Sequence, residues 1–445
     1  MADQEVKVRD VAWSELFPCL MLLRSIRIAL MARVLVLGAA GLIATTLGWW
    51  LLGQAFAGSG DPLIERWRAT SGPWIWEDSR EFWVATSARS ADEVFYSASE
   101  GLVEAPVAIW LFFTRPFIDL FRADLTPIGF LFLLLCCVWE LLVWGVAAGA
   151  ITRIAALKFT RDEAPGPLAA LKQAARKLPS YSLPPLVALA GAAVFAVQLA
   201  LVGVLMRLDL LAFVFAILWP FVLLLGLLMA VLLLGAVVGW PLMWSTVSVE
   251  GTDAFDALSR SYAYTYHRPL RLLCYVLFAA VLAVVSMFVV KLFAASAIAL
   301  GDWSVDWGLD RATMREVVWS DAMRLEIAGA PSVSEFPPPE APDEIIGPDE
   351  LDDEPGALRS WARRAVYFWK SLVAALAAGY QAGFLWVSAV GVYLLLRRDI
   401  DGVQLNEVYV DQADEYGMPP LADEATTGVP EVAPGAPAQP GDTAV

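Results

Sequence analysis

The chain has 445 residues, 58% of them hydrophobic, and a formal net charge of −16 at pH 7. Its mean hydropathy is +0.60, and its apolar share is well above the roughly 45–50% of soluble domains. This composition argues against a soluble protein, and the acidic balance argues against nucleic acid as a partner.

Six apolar stretches are each long enough to cross a bilayer, which takes about 20 residues. They cover 34–53, 127–152, 185–206, 221–244, 272–300 and 365–396. Many of the 19 Trp residues fall near the ends of these stretches, where amphipathic rings settle at a membrane surface. We therefore predict an all-α polytopic membrane bundle of six transmembrane helices, with interfacial helices and a small acidic cap outside the cytoplasm.

The segments between the spans differ in character. Residues 1–33 are predicted to be cytoplasmic, with an amphipathic helix on the membrane surface over 11–33. The outer loop 54–126 contains an apolar stretch, 103–122, that is predicted to lie on the outer surface because Pro106, Arg115 and Pro116 interrupt it. The other predicted segments are cytoplasmic helical loops at 153–184 and 245–271, a re-entrant or interfacial segment at 207–220, an acidic outer loop at 301–364 and an acidic cytoplasmic tail at 397–445.

Four of these segments carry further expectations. Residues 210–219 favour a short re-entrant or interfacial helix that ends at Pro220; a seventh crossing there would invert the C-terminal half. Residues 58–102 and 301–358 are predicted to form the outer cap, with an acidic, proline-rich linker over 331–355. The tail lacks Lys and Arg from residue 399 onward and is predicted to be disordered beyond about residue 417.

Basic residues indicate the orientation. Lys and Arg cluster before the first span, between the second and third, between the fourth and fifth, and after the sixth. With six crossings these four clusters share one side, which the positive-inside rule assigns to the cytoplasm. We therefore expect an integral protein of the cytoplasmic (inner) membrane with both termini inside and no cleaved signal peptide.

An 87-residue shift aligns the segment 163–171 with 250–258, and Glu, Ala and Leu coincide. Each segment follows one span and leads through a short helix into the next, so spans two and three are predicted to repeat as spans four and five. The second copy contains Glu250-Gly251 followed by Ala257-Leu-Ser-Arg-Ser-Tyr262. It resembles the "EG…ALxRSW" turn of bacterial multi-pass proteins related to the glycerophosphodiester phosphodiesterase membrane domain, over roughly 127–300. Tyr262 replaces the usual Trp, and the soluble phosphodiesterase domain of some members is absent, so the resemblance implies a fold and no activity.

Polar residues within spans are the first group of candidate site residues, because an ionisable group at the bilayer centre costs about 2.5–3.5 kcal/mol. Glu140, Gln198, Lys291 and Gln381 lie in four different spans. They are predicted to form one polar seam in which Glu140 accepts a hydrogen bond from Lys291 or a glutamine. A structural clasp between helices is the favoured interpretation of this seam, and a proton or solute pathway is the other.

Small-residue spacing supplies the second group. Three G-x-x-x-G pairs occur in spans two, four and six, at Gly145 and Gly149, Gly235 and Gly239, and Gly379 and Gly383. Such pairs let helix backbones approach closely. We expect them to pack inside the chain, and an oligomer interface is the alternative.

Motifs for catalysis or for metal and cofactor binding are missing from the sequence. It has no G-x-S-x-G, H-E-x-x-H, P-loop or dinucleotide motif. Its one histidine, His267, is a poor basis for acid–base chemistry, and its four cysteines predict neither a disulfide framework nor a metal site. We therefore expect no enzyme activity, no cofactor and no metal.

The prediction that follows is a non-enzymatic membrane scaffold or accessory subunit acting through protein or lipid contacts. Its partners would be the lipid bilayer and a second membrane protein or further copies of the chain. The alternative is a transporter or channel that uses the Glu140/Lys291 seam, and a membrane-embedded enzyme comes third.

Overall fold

The structure is a computed structural model, and it describes residues 18–70, 72, 94–95, 98–99, 101–122, 124–310, 313–318, 357–405, 407–409, 421–422 and 431–432. Within these residues there are twelve α-helices, six of them long and apolar enough to span a membrane. The predicted all-α polytopic bundle is therefore confirmed.

Most consecutive helices are joined by short connections, but long segments separate α3 from α4 and α11 from α12. In chain order they are α1 (Leu23–Ala29), α2 (Ala32–Ala55), α3 (Pro62–Thr70), α4 (Ala105–Asp119), α5 (Pro127–Thr160), α6 (Pro167–Arg176), α7 (Leu178–Leu205), α8 (Asp209–Ile217), α9 (Trp219–Glu250), α10 (Ala254–His267), α11 (Pro269–Asp306) and α12 (Ala357–Asp401). The six spanning helices are α2, α5, α7, α9, α11 and α12. A 3₁₀ turn at Pro18–Leu22 precedes α1, a π-helical turn lies at Met314–Val318, and β1 (Leu421–Ala422) pairs antiparallel with β2 (Glu431–Val432).

Proline and glycine mark several helix ends. Pro127 opens α5 behind Thr126, whose hydroxyl accepts a hydrogen bond from the Gly129 amide at 3.0 Å. At the other end of a span, α9 stops at Gly251, whose φ of +70° suits glycine.

The helices are longer than the predicted spans. Helix α5 continues into the loop predicted at 153–184, and α12 begins in the loop predicted at 301–364. The apolar pattern marks only the part of a helix that lies in hydrocarbon.

The core of the bundle lies between α2, α5 and α12. Half or more of each of their apolar windows is buried inside the chain, against 11–17% for α7, α9 and α11. Three fully buried tryptophans fill the centre, and the rings of Trp244 and Trp386 stack at 4.6 Å between centroids. The third, Trp144, donates its indole hydrogen to the Thr45 hydroxyl at 2.9 Å, which satisfies this buried donor.

Helix α4 inserts one face into the bundle, whereas the sequence predicted it on the outer surface; its other face, with Val107 and Leu111, is exposed. Phe113 is fully buried, with its ring 4.6 Å from that of Trp144 and 5.3 Å from that of Trp386. Ile109 and Thr114 are buried on the same helix. The two prolines did not exclude the helix from the core. Pro106 lies in its first turn, where an amide is not needed, and Pro116 lies inside the helix, in its last turn.

Helices α7, α8 and α9 form a hairpin whose outer half stands apart from the bundle. Gly191 of α7 faces Leu232 of α9, so the two long helices pack against each other. In the stretch from Ala193 to Leu234, described throughout, no residue is buried. We call residues 193–234 the arm. Its tip is α8, a nine-residue helix that reaches only about 13 Å, so it does not provide a seventh crossing.

The four predicted basic clusters meet at one end of the bundle, which we call the basic end. Arg24 donates to the Phe159 carbonyl at 3.2 Å, and Arg33 donates to the Ala164 carbonyl at 2.7 Å. In the same region Arg271 pairs with Asp399 at 3.1 Å. These contacts join the N-terminal segment, the α5–α6 connection, α11 and the end of α12. An even number of crossings between the clusters explains why they share an end.

The predicted repeat has a counterpart in the order of helices. A long helix, a short helix and a long helix follow one another in α5–α6–α7 and again in α9–α10–α11. The aligned glutamates differ, however, because Glu163 is exposed beside Arg161 while Glu250 is buried. The repeat remains a prediction at the level of sequence.

Several predictions concern segments that the structure describes only in part. For the amphipathic helix predicted over 11–33, α1 and the turn before it are described, and Leu22, Ser25 and Ile28 are buried against the bundle. Most of the outer cap, the linker 331–355 and the tail beyond 409, apart from β1 and β2, lie outside the described residues.

Candidate functional site

The predicted polar seam is not assembled. Gln198 is exposed on the arm, and Gln381 donates to the Ala105 carbonyl of α4 at 2.7 Å. Lys291 is half-buried on α11. Among the described residues, neither carboxylate oxygen of Glu140 has a hydrogen-bond partner. The expectation that Glu140 accepts from Lys291 or a glutamine is therefore wrong; Gln381 finds its partner on α4, the helix that the sequence had placed outside.

Glu140 is nevertheless the most unusual single residue of the spans. Its side chain is fully buried on α5, one turn after Cys136 and Cys137, which are buried as well. A carboxyl group without a hydrogen-bond partner is costly in an apolar interior. The position is therefore a candidate for function or for binding, although it stands alone.

The three glycine pairs face other helices of the same chain: Gly145 and Gly149 face α7, Gly235 and Gly239 face α10, and Gly379 and Gly383 face α2. Gly379, in the last pair, faces backbone atoms directly. A Cβ atom at Gly379 would lie 2.5 Å from the Leu35 carbonyl oxygen and 2.6 Å from the Ala39 amide nitrogen. These glycines therefore hold the bundle together from within.

A charged cluster at the basic end joins three helices. Glu250, at the end of α9, forms ion pairs with Arg260 of α10 and Arg397 of α12, the latter at 3.1 Å. Its Oε1 atom also accepts a hydrogen bond from the Tyr393 hydroxyl at 2.5 Å. The Glu250 side chain is only 8% exposed. A buried carboxylate that pairs with two arginines and accepts one hydrogen bond, all from two other helices, fixes how the helix ends meet.

Arg260 responds to this environment. Burial lowers the pKa of Arg260, but the negative charge of Glu250 and the hydrogen bond to Asp256 outweigh that effect, so the pKa is raised overall. The pKa of Tyr264 on the same helix is raised mainly by burial and then by its hydrogen bond to Asp401. Arg260 therefore stays charged and Tyr264 stays neutral at physiological pH.

The start of the C-terminal tail docks beside this cluster. The Tyr409 amide donates to the Val249 carbonyl at 2.7 Å, and Arg153 donates to the Tyr409 carbonyl at 2.8 Å. Lys177 lies 4.6 Å from the centre of the Tyr409 ring. The ring also packs on Gly251, where an added Cβ would lie 2.5 Å from it. Three elements therefore hold one residue of the tail.

Between the charged cluster and the docked tail lies a polar cavity of about 650 Å³. Arg161, Glu250, Arg260, Arg397 and Glu407 supply its charges. The arginines are already engaged, because Glu250 pairs with two of them and Arg161 pairs with Glu163 at 3.4 Å. The arrangement is a structural junction with a water-accessible space.

Sequence reasoning found part of this junction and missed the rest. Glu250, Gly251 and Arg260 belong to the motif that carried the family resemblance. Tyr409 gave no signal, since it lies in an acidic tail and its partners are 150 or more residues away in the chain.

Metal-binding groups are not apparent in the part of the chain that the structure describes, where no three His, Cys, Asp or Glu side chains come together. The four cysteines, Cys19, Cys136, Cys137 and Cys274, are free thiols. Comparison with models of protein families, with curated proteins and with solved structures finds no match to this chain. The resemblance to the phosphodiesterase membrane domain therefore stays a prediction.

Proposed function

We propose that the chain is a non-enzymatic membrane scaffold or accessory subunit, and that the arm is the part that binds a partner protein within the membrane. The observation that carries the proposal is the absence of burial along 193–234. Two long helices project from a packed bundle here, with apolar side chains such as Leu210 and Phe213, exposed by 75% and 68%.

Lipid alone would cover these apolar side chains, but lipid hydrocarbon offers no hydrogen-bond partner to the side-chain amide of Gln198. A polar group without a partner in hydrocarbon is costly, and an acceptor on a neighbouring helix would satisfy it. A small-residue surface lies close by. Gly191 marks the side of α7 that faces α9. Ala200 lies nine residues later, and a rotation of about 100° per residue places it on the opposite side of α7. Ala196 and Gly203 flank it, and all three are exposed. Small residues let a partner helix approach closely.

The orientation belongs to the same proposal. We assign the basic end to the cytoplasmic side of the inner membrane, with both termini inside, on the strength of the positive-inside rule. Maleimide labelling of single cysteines in intact cells tests this assignment. Labelling at position 163 only after the membrane is permeabilised supports it, and labelling in intact cells contradicts it.

A transporter or channel remains the second candidate, because Glu140 is a buried carboxyl in a span. The structure offers it less support than the arm offers the scaffold, since the other three polar residues lie elsewhere. Flux through liposomes would favour the transporter if it is present in the native chain and lost in Glu140→Gln.

Site-specific photocrosslinking in native membranes tests the proposal. A photoreactive amino acid at position 200, on the outward side of α7, is expected to give one discrete protein adduct. The matched control is position 36 on α2, where Val36 is also exposed at 56% but lies on the bundle. Discrete adducts at neither position, or equally at both, would contradict the proposal.

Gln198→Leu supplies an independent check. Interhelical hydrogen bonds in membranes contribute about 0.6 kcal/mol on average and up to about 1.7, so the yield of the adduct should fall about threefold to eighteenfold. An unchanged yield would remove Gln198 from the interface.

A further inference from the structure

An apolar cavity of about 310 Å³ lies between α4, α9, α11 and α12. Its walls include Trp110 of α4, Leu242 of α9, Ala279 and Met287 of α11, and Phe384 of α12. On α4, Ile109 and Trp110 line the cavity, whereas Phe113 packs against Trp144 and Trp386 in the core.

The few polar side chains in the lining are largely satisfied within the chain. The Gln381 amide donates to Ala105 at 2.7 Å, and the Ser388 hydroxyl donates to Leu385 at 3.0 Å. A water molecule needs two to four polar partners to occupy a cavity. The Tyr380 hydroxyl also belongs to a lining residue and is buried without a hydrogen-bond partner among the described residues, but one such group is too few to hold a water molecule. The rest of the lining is mostly hydrocarbon, so the cavity favours an apolar occupant.

The mouth of the cavity lies between α9 and α11. Val237, Val238 and Val276 line it and are 39%, 37% and 45% exposed. All three lie in the stretches predicted to be in hydrocarbon, 221–244 and 272–300. The cavity therefore opens sideways, toward the acyl chains of the bilayer, and not toward water.

We propose that this cavity is a lipid-binding site that takes one hydrocarbon chain of a membrane lipid, entering between α9 and α11. Its volume is at the lower end of the range for small-molecule sites, so it holds part of one chain while the headgroup stays outside. A chain leaving the bilayer gains no hydrophobic energy, so van der Waals contact with the walls supplies the preference. This site is separate from the arm and does not depend on the proposed scaffold function.

The test uses the full chain in liposomes that contain a phospholipid with a diazirine on one acyl chain. After irradiation, labelled residues are mapped by mass spectrometry. We expect preferential labelling of cavity residues such as Trp110 and Met287, compared with Leu201, an exposed residue on the arm (58%). Labelling of the cavity no stronger than that of Leu201 would overturn the proposal.

A filled cavity provides the matched comparison. Ala283 lines the cavity, so Ala283→Phe blocks the space. Ala297→Phe makes the same substitution on the same helix, but Ala297 is exposed, does not line the cavity and lies about 21 Å further along the helix axis.

Cavity labelling should fall at least about fivefold in Ala283→Phe and change less than about twofold in Ala297→Phe. If Ala283→Phe fails to fold, Ala280→Phe, which also lines the cavity, takes its place. Equal labelling in a folded filled variant and in the native chain would refute the site.

Discussion

The contact between α2 and α12 allows a quantitative prediction for Gly379→Ala. The new Cβ atom would lie 2.5 Å from the Leu35 carbonyl oxygen, whereas ordinary van der Waals contact begins at 3.4 Å. The obstacle is backbone, which cannot move aside as a flexible side chain can. The two helices must therefore separate by about 0.9 Å along their closest contact.

Overpacking of this kind costs about 1–3 kcal/mol, occasionally more. The greater helix propensity of alanine over glycine offsets up to about 1 kcal/mol of it. Gly203→Ala is the matched control, because Gly203 lies on the arm with nothing within 4 Å of the added atom. The variant Gly203→Ala gains the higher helix propensity of alanine without a steric clash. We expect Gly379→Ala to be less stable than Gly203→Ala by about 2 kcal/mol.

Equilibrium unfolding with SDS in mixed micelles, followed by far-UV circular dichroism, measures this difference directly. Gly379→Ala should unfold at a lower SDS fraction than the native chain, and Gly203→Ala should unfold at the same fraction or higher. If the two variants unfold together, the close approach of α2 and α12 described above is wrong.

Three further predictions concern single polar residues. The hydrogen bond from Thr126 lowers the pKa of Asp61. The stability that this hydrogen bond contributes is therefore present above pH 3.8 and is lost as pH falls through the lower pKa of the folded state. In acid titrations of stability, the native chain and Thr126→Val should differ by about 1–2 kcal/mol near pH 6 and converge below that folded-state pKa. Glu250→Gln leaves Arg397 without its counter-charge and should destabilise the chain by about 2–3 kcal/mol in SDS unfolding, and an unchanged midpoint would show that the charged cluster is not structural. Glu140→Met removes a buried carboxyl that lacks a partner among the described residues and should leave stability unchanged or raise it by about 1–3 kcal/mol; a clear loss of stability would show that this carboxyl is bonded.

The sequence was sufficient for the spans because each one is a local pattern. Six apolar stretches of bilayer length predict six helices, and the spacing of Gly379 and Gly383 predicts a close helix contact. The sequence could not show which helix Gly379 and Gly383 contact, because that helix, α2, lies more than 300 residues before α12 in the chain. Small residues show that two backbones approach and do not show which two.

The interior position of α4 was missed for a different reason. A stretch with two prolines and an arginine is typical of a surface helix. Here, however, Pro106 lies in the first turn of the helix, and the Arg115 guanidinium lies over the Trp67 ring, 4.5 Å from its centre. The docking of Tyr409 was missed because one aromatic residue in an acidic tail has no pattern. The seam at Glu140 is not assembled because positions near the middle of a span, such as Glu140, Gln198 and Gln381, do not by themselves lie on facing helix surfaces.

The most direct test of the scaffold proposal is the native mass of the chain after extraction from its own membrane in a mild detergent. The account predicts a stoichiometric complex with another membrane protein, and Ala200→Trp on the arm should dissociate it while Val36→Trp on the bundle should not. A bare monomer, or a complex that survives Ala200→Trp, would contradict the assignment of the arm as the binding surface.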